Sequence, residues 1–347
     1  MLSLKTIDAH AAGEPLRLIV SGFPSPQGKT MLGKREWVKR HADHLRRALM
    51  LEPRGHADMY GAILTEPVSP GSHAGVLFMH NEGYSTMCGH GIIAVTTIAL
   101  ERGLIDPGGD GSIVVYDAPA GTVRARAAAA VPARCQPGAS QVPGTCQARR
   151  VERVAFQNVP SFVLHAGLDV KLPKGWARAD VAFGGAFYAI VDAESVGMPI
   201  DVAHLPELRR VGMEIKGAIE STHDIVHPLD AGLRGIYGTI FTGPPSDDSA
   251  SLRNVTIFAD AEVDRSPCGT GTAAVMAVVD AMGLLAEDQP FVHESLIHTR
   301  FTGRLASRTM VGDHHAIVPE IEGSAWITGE HTFLIDDTDP LREGFRI

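Results

Sequence analysis

At 347 residues the chain is longer than one average domain, so two domains are the natural expectation. A net charge of −9 argues against a nucleic-acid backbone as partner, while a hydrophobic share of 44% suits a globular protein with a full core. Four cysteines without a CxxC pair make neither a disulfide scaffold nor a closed zinc site. The first residues, MLSLKTIDAHAAGEPLRLIV, lack the apolar core of a secretion signal, and nowhere does an uncharged apolar run reach membrane-spanning length. The expectation is a soluble, cytoplasmic protein with reduced thiols.

Taken in chain order, Leu16–Val20 reads as a strand after the turn Ala12-Gly13-Glu14-Pro15, and the charge-rich segment Lys34–Met50 reads as a helix. Met59–Thr65 and Gly75–His80 are short apolar runs bounded by Gly, Pro and Ser, hence strands. From Gly91 to Arg102 the pattern is helical by length, with Gly103 placed to end it. Residues 127–149, AAAAVPARCQPGASQVPGTCQAR, lose all periodicity and mark a compositional break that contains Cys135 and Cys146, both read as incidental thiols. Beyond it, Val151–Phe156, Ser161–His165, Ala179–Ala182, Tyr188–Val191, Ile236–Thr242 and Asn254–Ala259 read as strands, and Asp201–Lys216 as a helix. A turn at Asp264-Arg265-Ser266-Pro267 leads into a helix over Gly271–Met282, and Ala316–Ile321 and Ala325–Thr328 are late strands. Many short strands with few long helices indicate an α+β fold rather than a βαβ array.

Two segments share a pattern. STMCGHGIIAV and SPCGTGTAAV align at a fixed offset of 180: Cys88 meets Cys268, Gly89 meets Gly269, Gly91 meets Gly271, and Ala94-Val95 meet Ala274-Val275. Gly103-Leu104 and Gly283-Leu284 extend the match past the helix ends. The economical reading is two similar halves, each presenting a thiol at a helix start, facing each other across a cleft. A helix start carries unpaired N–H groups and the positive end of the macrodipole; it binds anions and favours a thiolate. Two such thiols suggest a base on one face of a carbon and an acid on the other, with a substrate carboxylate cradled between the helix starts. This chemistry needs no cofactor. Competing readings are a pair of buried structural cysteines, a dinucleotide fingerprint in the G-x-G-x-x-A of each segment, a metal on Cys88 and His90, and a Cys–His nucleophile. The repetition favours the two-thiol reading over each of them.

At these residues the chain resembles the proline racemase family. The resemblance rests on DAHAAGEPLR (8–17), RGHADMYGA (54–62), HNEGYSTMCGHG (80–91), FGGAFYA (183–189), FADAEVDRSPCGTGT (258–272) and DPLREGF (339–345), which together span nearly the whole chain. That family comprises cofactor-independent proline racemases, hydroxyproline 2-epimerases and trans-3-hydroxy-L-proline dehydratases. The resemblance implies two similar α+β domains, each a mostly antiparallel sheet wrapped around a central helix as in diaminopimelate epimerase, with the active cleft between them. It assigns 1–126 plus 330–347 to the first domain and 127–329 to the second. It implies Cys88 and Cys268 as the acid–base pair, the N–H groups of Gly89, His90, Gly269 and Thr270 as carboxylate holders, and Asp264 as partner of the ring nitrogen. Tyr60 and Phe258 fall at positions that resemble pocket walls. It further implies no metal or cofactor, a small imino acid (proline or a hydroxyproline) as the partner molecule, no nucleic acid or membrane, and a homodimer.

Two features bear on the branch of the family. HNEGYS, FGGAFYA, IYGTIF and FADAEVDRSP look most like the trans-3-hydroxyproline dehydratases, which carry threonine at the second cysteine position, whereas this chain has Cys268. The 4-hydroxyproline epimerases tend to place a histidine near 236–239, where this chain has Tyr237 and Gly238. A dehydratase-like frame thus carries a racemase-like pair of thiols. The expected activity is inversion at Cα of proline or a hydroxyproline, with dehydration of a 3-hydroxyproline and non-catalytic imino-acid binding as alternatives.

Overall fold

The computed structural model describes residues 1–109, 111–129, 150–287 and 289–346. Cys135 and Cys146 lie outside the described residues. The first part of the chain runs β1 (Leu2–Ala11), β2 (Glu14–Ser21), α1 (Met31–His41), α2 (Asp43–Met50), β3 (Tyr60–Thr65), β4 (Ala74–His80), β5 (Tyr84–Ser85), α3 (Gly89–Glu101), β6 (Ile113–Ala118) and β7 (Gly121–Ala129). There follow β8 (Val151–Gln157), β9 (Ser161–Leu172), β10 (Gly175–Phe183), β11 (Phe187–Asp192), α4 (Leu205–Glu220), β12 (Val226–His227), β13 (Asp230–Arg234) and β14 (Ile236–Gly243). The chain finishes with β15 (Leu252–Phe258), β16 (Glu262–Asp264), α5 (Gly269–Ala281), β17 (Phe291–Glu294), β18 (Arg300–Val311), β19 (His314–Gly323) and β20 (Ala325–Ile335). The α+β, sheet-rich character read from the sequence is the observed one.

Pairing organises the strands around two helices. One ring of strands closes on itself through β9, β10, β11, β14, β15, β17, β18 and β19, which returns to β9. Helix α5 packs against β9, β10, β11, β18 and β19 of that ring. A second run of pairings, β20–β1–β2–β3–β4–β6–β7–β8, lies around α3, which packs against β1, β2, β3, β7, β8 and β20. Strand β8 also pairs with β19, and only Ser324 separates β19 from β20, so residues 314–335 pass almost straight from one set of strands to the other. Most pairs are antiparallel; β2–β3, β4–β6, β11–β14 and β15–β17 are parallel. No helix among the described residues is long and apolar enough to cross a membrane.

The sequences of α3 and α5 explain their central places. Residues Gly89–Ala99 and Gly269–Val278 are all buried, and a helix apolar on every side has to be enclosed. Both helices end alike. Gly103 and Gly283 take left-handed φ of 63° and 72°, and the N–H groups of Leu104 and Leu284 return to the carbonyls of Ala99 and Val279 at 2.8 and 3.0 Å. This is the glycine-terminated cap that the offset of 180 points to in the sequence.

Three expectations shift. The single helix over Lys34–Met50 is two, because Ala42 leaves helical geometry (φ −136°) and is fully buried between α1 and α2. The helix expected at Asp201–Lys216 begins at Leu205, with Pro206 in its first turn, where the missing N–H costs nothing. The last strand runs on to Ile335 because β1 pairs with it along its length, past a register shift between Asp8 and Ala9 that accommodates Thr328 as an extra residue.

The two central helices meet start to start. A Cβ built on Gly89 would lie 2.4 Å from the Cα of Gly269, and one on Gly269 would lie 2.5 Å from the Cα of Gly89. The obstacle on each side is backbone, which cannot rotate away, so glycine is required at both positions. Gly269→Ala is therefore expected to cost about 1–3 kcal/mol, the range for overpacking a close contact, read as a lower urea midpoint at an unchanged slope.

Candidate active site

Cys88 and Cys268 are the N-cap residues of α3 and α5. Each sulfur accepts a hydrogen bond from the N–H three residues on: Gly91 N to Cys88 Sγ at 3.2 Å and Gly271 N to Cys268 Sγ at 3.3 Å. The N–H groups of Ile92 and Thr272 go to the carbonyls of Cys88 and Cys268. Those bonds leave Gly89, His90, Gly269 and Thr270 as the orphan donors of the two helix starts. The caps differ in backbone. Cys88 is extended (φ −147°), whereas Cys268 has φ +61°, a left-handed value that a non-glycine residue holds at a cost of about 1–3 kcal/mol.

Around the junction lies a small, largely buried chamber lined by Tyr60, Met87, Cys88, Gly89, His90, Tyr188, Tyr237, Phe258, Asp264, Cys268, Gly269 and Thr270. Its volume for water centres is about 10 Å³, near the least that holds one water. Both thiols, and every residue singled out in the sequence for this site, border it. The sequence reading left out Met87 and Tyr188, although Tyr188 sits within FGGAFYA, and named Tyr237 only as the residue standing where 4-hydroxyproline epimerases tend to place a histidine.

Each sulfur has its own neighbours. His90 Nδ1 lies 3.2 Å from Cys88 Sγ, and Tyr60, which borders the same chamber, is a further close neighbour of that sulfur. His90 Nδ1 is also 4.0 Å from Asp264 Oδ2. Burial holds the His90 ring below its ordinary pKa, against the upward pull of Asp264, which favours the neutral imidazole. Near Cys268 Sγ stand the Tyr188 hydroxyl at 3.7 Å and Thr270 Oγ1 at 3.8 Å, themselves bonded at 2.6 Å. Asp264 Oδ1 accepts from the Ser266 N–H at 2.8 Å and from Ser266 Oγ at 2.7 Å, and Ser266 Oγ accepts from the Cys268 N–H at 3.1 Å. The turn Asp264-Arg265-Ser266-Pro267 thus fixes both the carboxylate and the cap that follows it.

The expectation that the helix starts favour thiolates is overturned. Both thiols are pushed well above the ordinary cysteine value, Cys88 first by burial and Cys268 by burial and the Asp264 charge. The hydrogen bonds from Gly91 and Gly271 pull the other way, but desolvation of a fully enclosed sulfur outweighs them.

An ion network ties the turn before Cys268 to the first part of the chain. The backbone N–H of Arg265 donates to Glu14 Oε2 at 2.7 Å, its guanidinium to the same oxygen at 3.3 Å and to the Asp58 carbonyl at 3.0 Å. Arg209 bonds Asp58 Oδ2 at 2.8 Å. Glu14 is fully buried, and burial pushes its carboxyl up, Asp264 adding to the rise and Arg265 opposing it.

A sequence-family model described as proline racemase matches residues 6–346. The chain belongs to the proline racemase family. It is 47% identical over 340 residues to a trans-3-hydroxy-L-proline dehydratase of Bacillus cereus, covering 98% of this chain and 97% of that protein. To a 3-hydroxyproline 2-epimerase of Burkholderia multivorans it is 41% identical over 346 residues, covering 99% and 98%. The crystal structure of a probable proline racemase from Agrobacterium radiobacter K84, with bound carbonate, superposes with a TM-score of 0.87 at 30% identity, covering 99% of this chain and 96% of that one. Membership in this family makes the chain an enzyme relative of racemases, epimerases and dehydratases of small imino acids.

Two outcomes are expected. Because both thiols are raised, their alkylation, followed by peptide mass spectrometry, should still be climbing with pH above about 10.5, where a free cysteine of pKa about 8.5 is already almost fully ionised. The second concerns Arg265→Leu. Glu14 has a folded pKa above its ordinary 4.5, so the fold favours its protonated form; that contribution is full below the ordinary value and is lost as pH rises through the raised one. Removing Arg265 removes a downward pull and leaves Glu14 short of a donor, so urea midpoints should fall by the equivalent of about 1–3 kcal/mol near neutral pH, the deficit growing towards alkaline pH.

Proposed function

We propose that the protein inverts Cα of a hydroxyproline or proline, without a cofactor, by passing protons between that carbon and the thiols of Cys88 and Cys268. One observation carries the reading: two sulfurs, each capping a separate buried helix, border a single small chamber. The substrate carboxylate lies at the junction of α3 and α5, where the N–H groups of Gly89, His90, Gly269 and Thr270 receive it and both helix dipoles favour it. Asp264 takes the ring ammonium, keeping the nitrogen cationic so that the α-proton is acidic, and Tyr60 and Phe258 wall the ring. One sulfur, as thiolate, removes the α-proton while the other, as thiol, delivers a proton to the opposite face. The enzyme is left in the mirror protonation state and works in either direction.

In this reading the units 1–126 plus 330–347 and 127–329 part to admit the ring and close over it, since the chamber as it stands has room for about one water. Closure removes water and places each thiol beside Cα, so the raised thiol values belong to the sealed state rather than the open one.

A second reading, dehydration of a trans-3-hydroxyproline to an enamine and then pyrroline-2-carboxylate, is favoured by the name of the 47% identical Bacillus relative. It needs one thiolate for the α-proton and a departing β-hydroxyl, and makes no demand on Cys268.

The discriminating experiment is a panel of proline and 3- and 4-hydroxyproline stereoisomers in D₂O, scored for deuterium at Cα and for ketimine with an amine-reactive dye. Inversion predicts label at Cα without ketimine, and loss of roughly a hundredfold or more in turnover for either Cys88→Ala or Cys268→Ser. If Cys268→Ser keeps full turnover and ketimine accumulates, the dehydration reading replaces the first. Inversion surviving both single changes would end the two-thiol mechanism.

A further inference from the structure

A string of buried hydroxyls leads away from Cys88 and has no equivalent at Cys268 among the described residues. The Tyr60 hydroxyl, beside the Cys88 sulfur, is hydrogen-bonded to Ser85 Oγ. Ser85 Oγ lies 3.0 Å from the Tyr237 hydroxyl, and the two tyrosine oxygens are 3.4 Å apart. Tyr60 and Ser85 are almost wholly buried (2% and 1% exposed), so these hydroxyls have one another as partners rather than bulk water. Tyr237 lies on the dividing wall. On one side it borders the inner chamber; on the other it borders, with Ser85 and His80, an outer cavity of about 510 Å³ that opens among Arg35, Lys216 and Arg234. The hydroxyls next to Cys268 are arranged otherwise. Tyr188 and Thr270 bond each other and border the inner chamber but not the outer cavity.

We propose that Tyr60, Ser85 and Tyr237 form a proton relay between the Cys88 sulfur and water in the outer cavity. The proposal rests on the reading that Cys88 exchanges a proton with Cα. In the outward direction the thiol proton passes to Tyr60 Oη as the proton of Tyr60 passes to Ser85 Oγ, that of Ser85 to Tyr237 Oη, and that of Tyr237 to a water. The sulfur is left as thiolate, each hydroxyl is restored, and the water's extra proton goes to solvent base. Run backwards, the same steps reload the thiol. Hydroxyls suit the task because each both donates and accepts. Burial holds Tyr60 and Tyr237 far above ordinary phenol values, so they carry a proton through without resting as phenolates. The relay answers a difficulty set by the narrow chamber: a neutral thiol there, in a space with room for about one water, needs a way to shed or regain its proton.

Two readouts test it on the full-length protein. The first needs no substrate: the infrared S–H stretch of Cys88, assigned by its loss in Cys88→Ser, is followed after transfer to D₂O. Tyr60→Phe, which removes the one hydroxyl common to every route, should slow S–H to S–D exchange at Cys88 by roughly a hundredfold, the low end of what a positioned proton-transfer group contributes, and leave exchange at Cys268 unchanged. The double variant Ser85→Ala/Tyr237→Phe should do the same, whereas each single change, which leaves the other hydroxyl bonded to Tyr60 and bordering the outer cavity, should slow exchange less than the double. The second readout uses whichever panel substrate turns over: cutting the relay should lower deuterium uptake at Cα relative to product, with a smaller change in KM. Native exchange at Cys88 in Tyr60→Phe, or in the Ser85→Ala/Tyr237→Phe double variant, with melting like the parent's, would overturn the relay. Absence of turnover by the unmodified protein would count against the proposed reaction alone, because thiol exchange is read without it.

Discussion

Everything at the centre of this molecule follows from two helices that begin at the same buried place. Each helix start carries the equivalent of roughly half a positive charge, and like ends brought together repel. The fold tolerates this because Gly89 and Gly269 let the backbones touch, and because the caps above and below are sulfurs that each take up one of the orphan N–H groups. What remains is a concentrated patch of donors in a narrow, buried space, a poor environment for most groups and a good one for a carboxylate. The surrounding strands hold that arrangement. Strand β19 belongs to the ring about α5, and β20, one residue further on, pairs with β1 beside α3, so neither helix can shift without straining a shared strand.

Much of this was legible in the sequence, for local reasons. The caps and helix ends are short-range features: a cysteine followed by Gly-x-Gly, an apolar run, then Gly-Leu, and their repetition at one offset made them stand out from chance. All nine residues singled out from the motifs border one chamber. What escaped notice depends on distance along the chain. Ser85 and Tyr237 are 152 residues apart, and no pattern in either segment announces that their oxygens meet. The closure of the ring relies on parallel pairs such as β11 with β14, joined through a helix and a hairpin, which period-two alternation cannot reveal. The break at Ala42 was hidden for another reason, since alanine is the best helix former and only its tertiary position takes it out of the helix.

The thiols illustrate how a correct local argument can give the wrong sign. A helix start does favour a thiolate, and the N–H of Gly91 and of Gly271 act in that direction. The sequence does not record how thoroughly the sulfurs are sealed from water, and that term is the larger. The neighbours differ as well: Cys88 stands next to a neutral imidazole and a path of hydroxyls, Cys268 next to a carboxylate and a closed tyrosine–threonine pair. Internal repetition in the sequence therefore produced equivalent positions without equivalent chemistry.

The left-handed backbone at Cys268 restricts which side chains this site accepts. A residue branched at Cβ is poorly suited to φ of +61°, so threonine or valine does not fit this backbone as it stands. Placing one there accordingly involves a re-set turn from Asp264 to Cys268, not a lone codon change. Drift at that position is then held in check by main-chain shape as much as by reactivity.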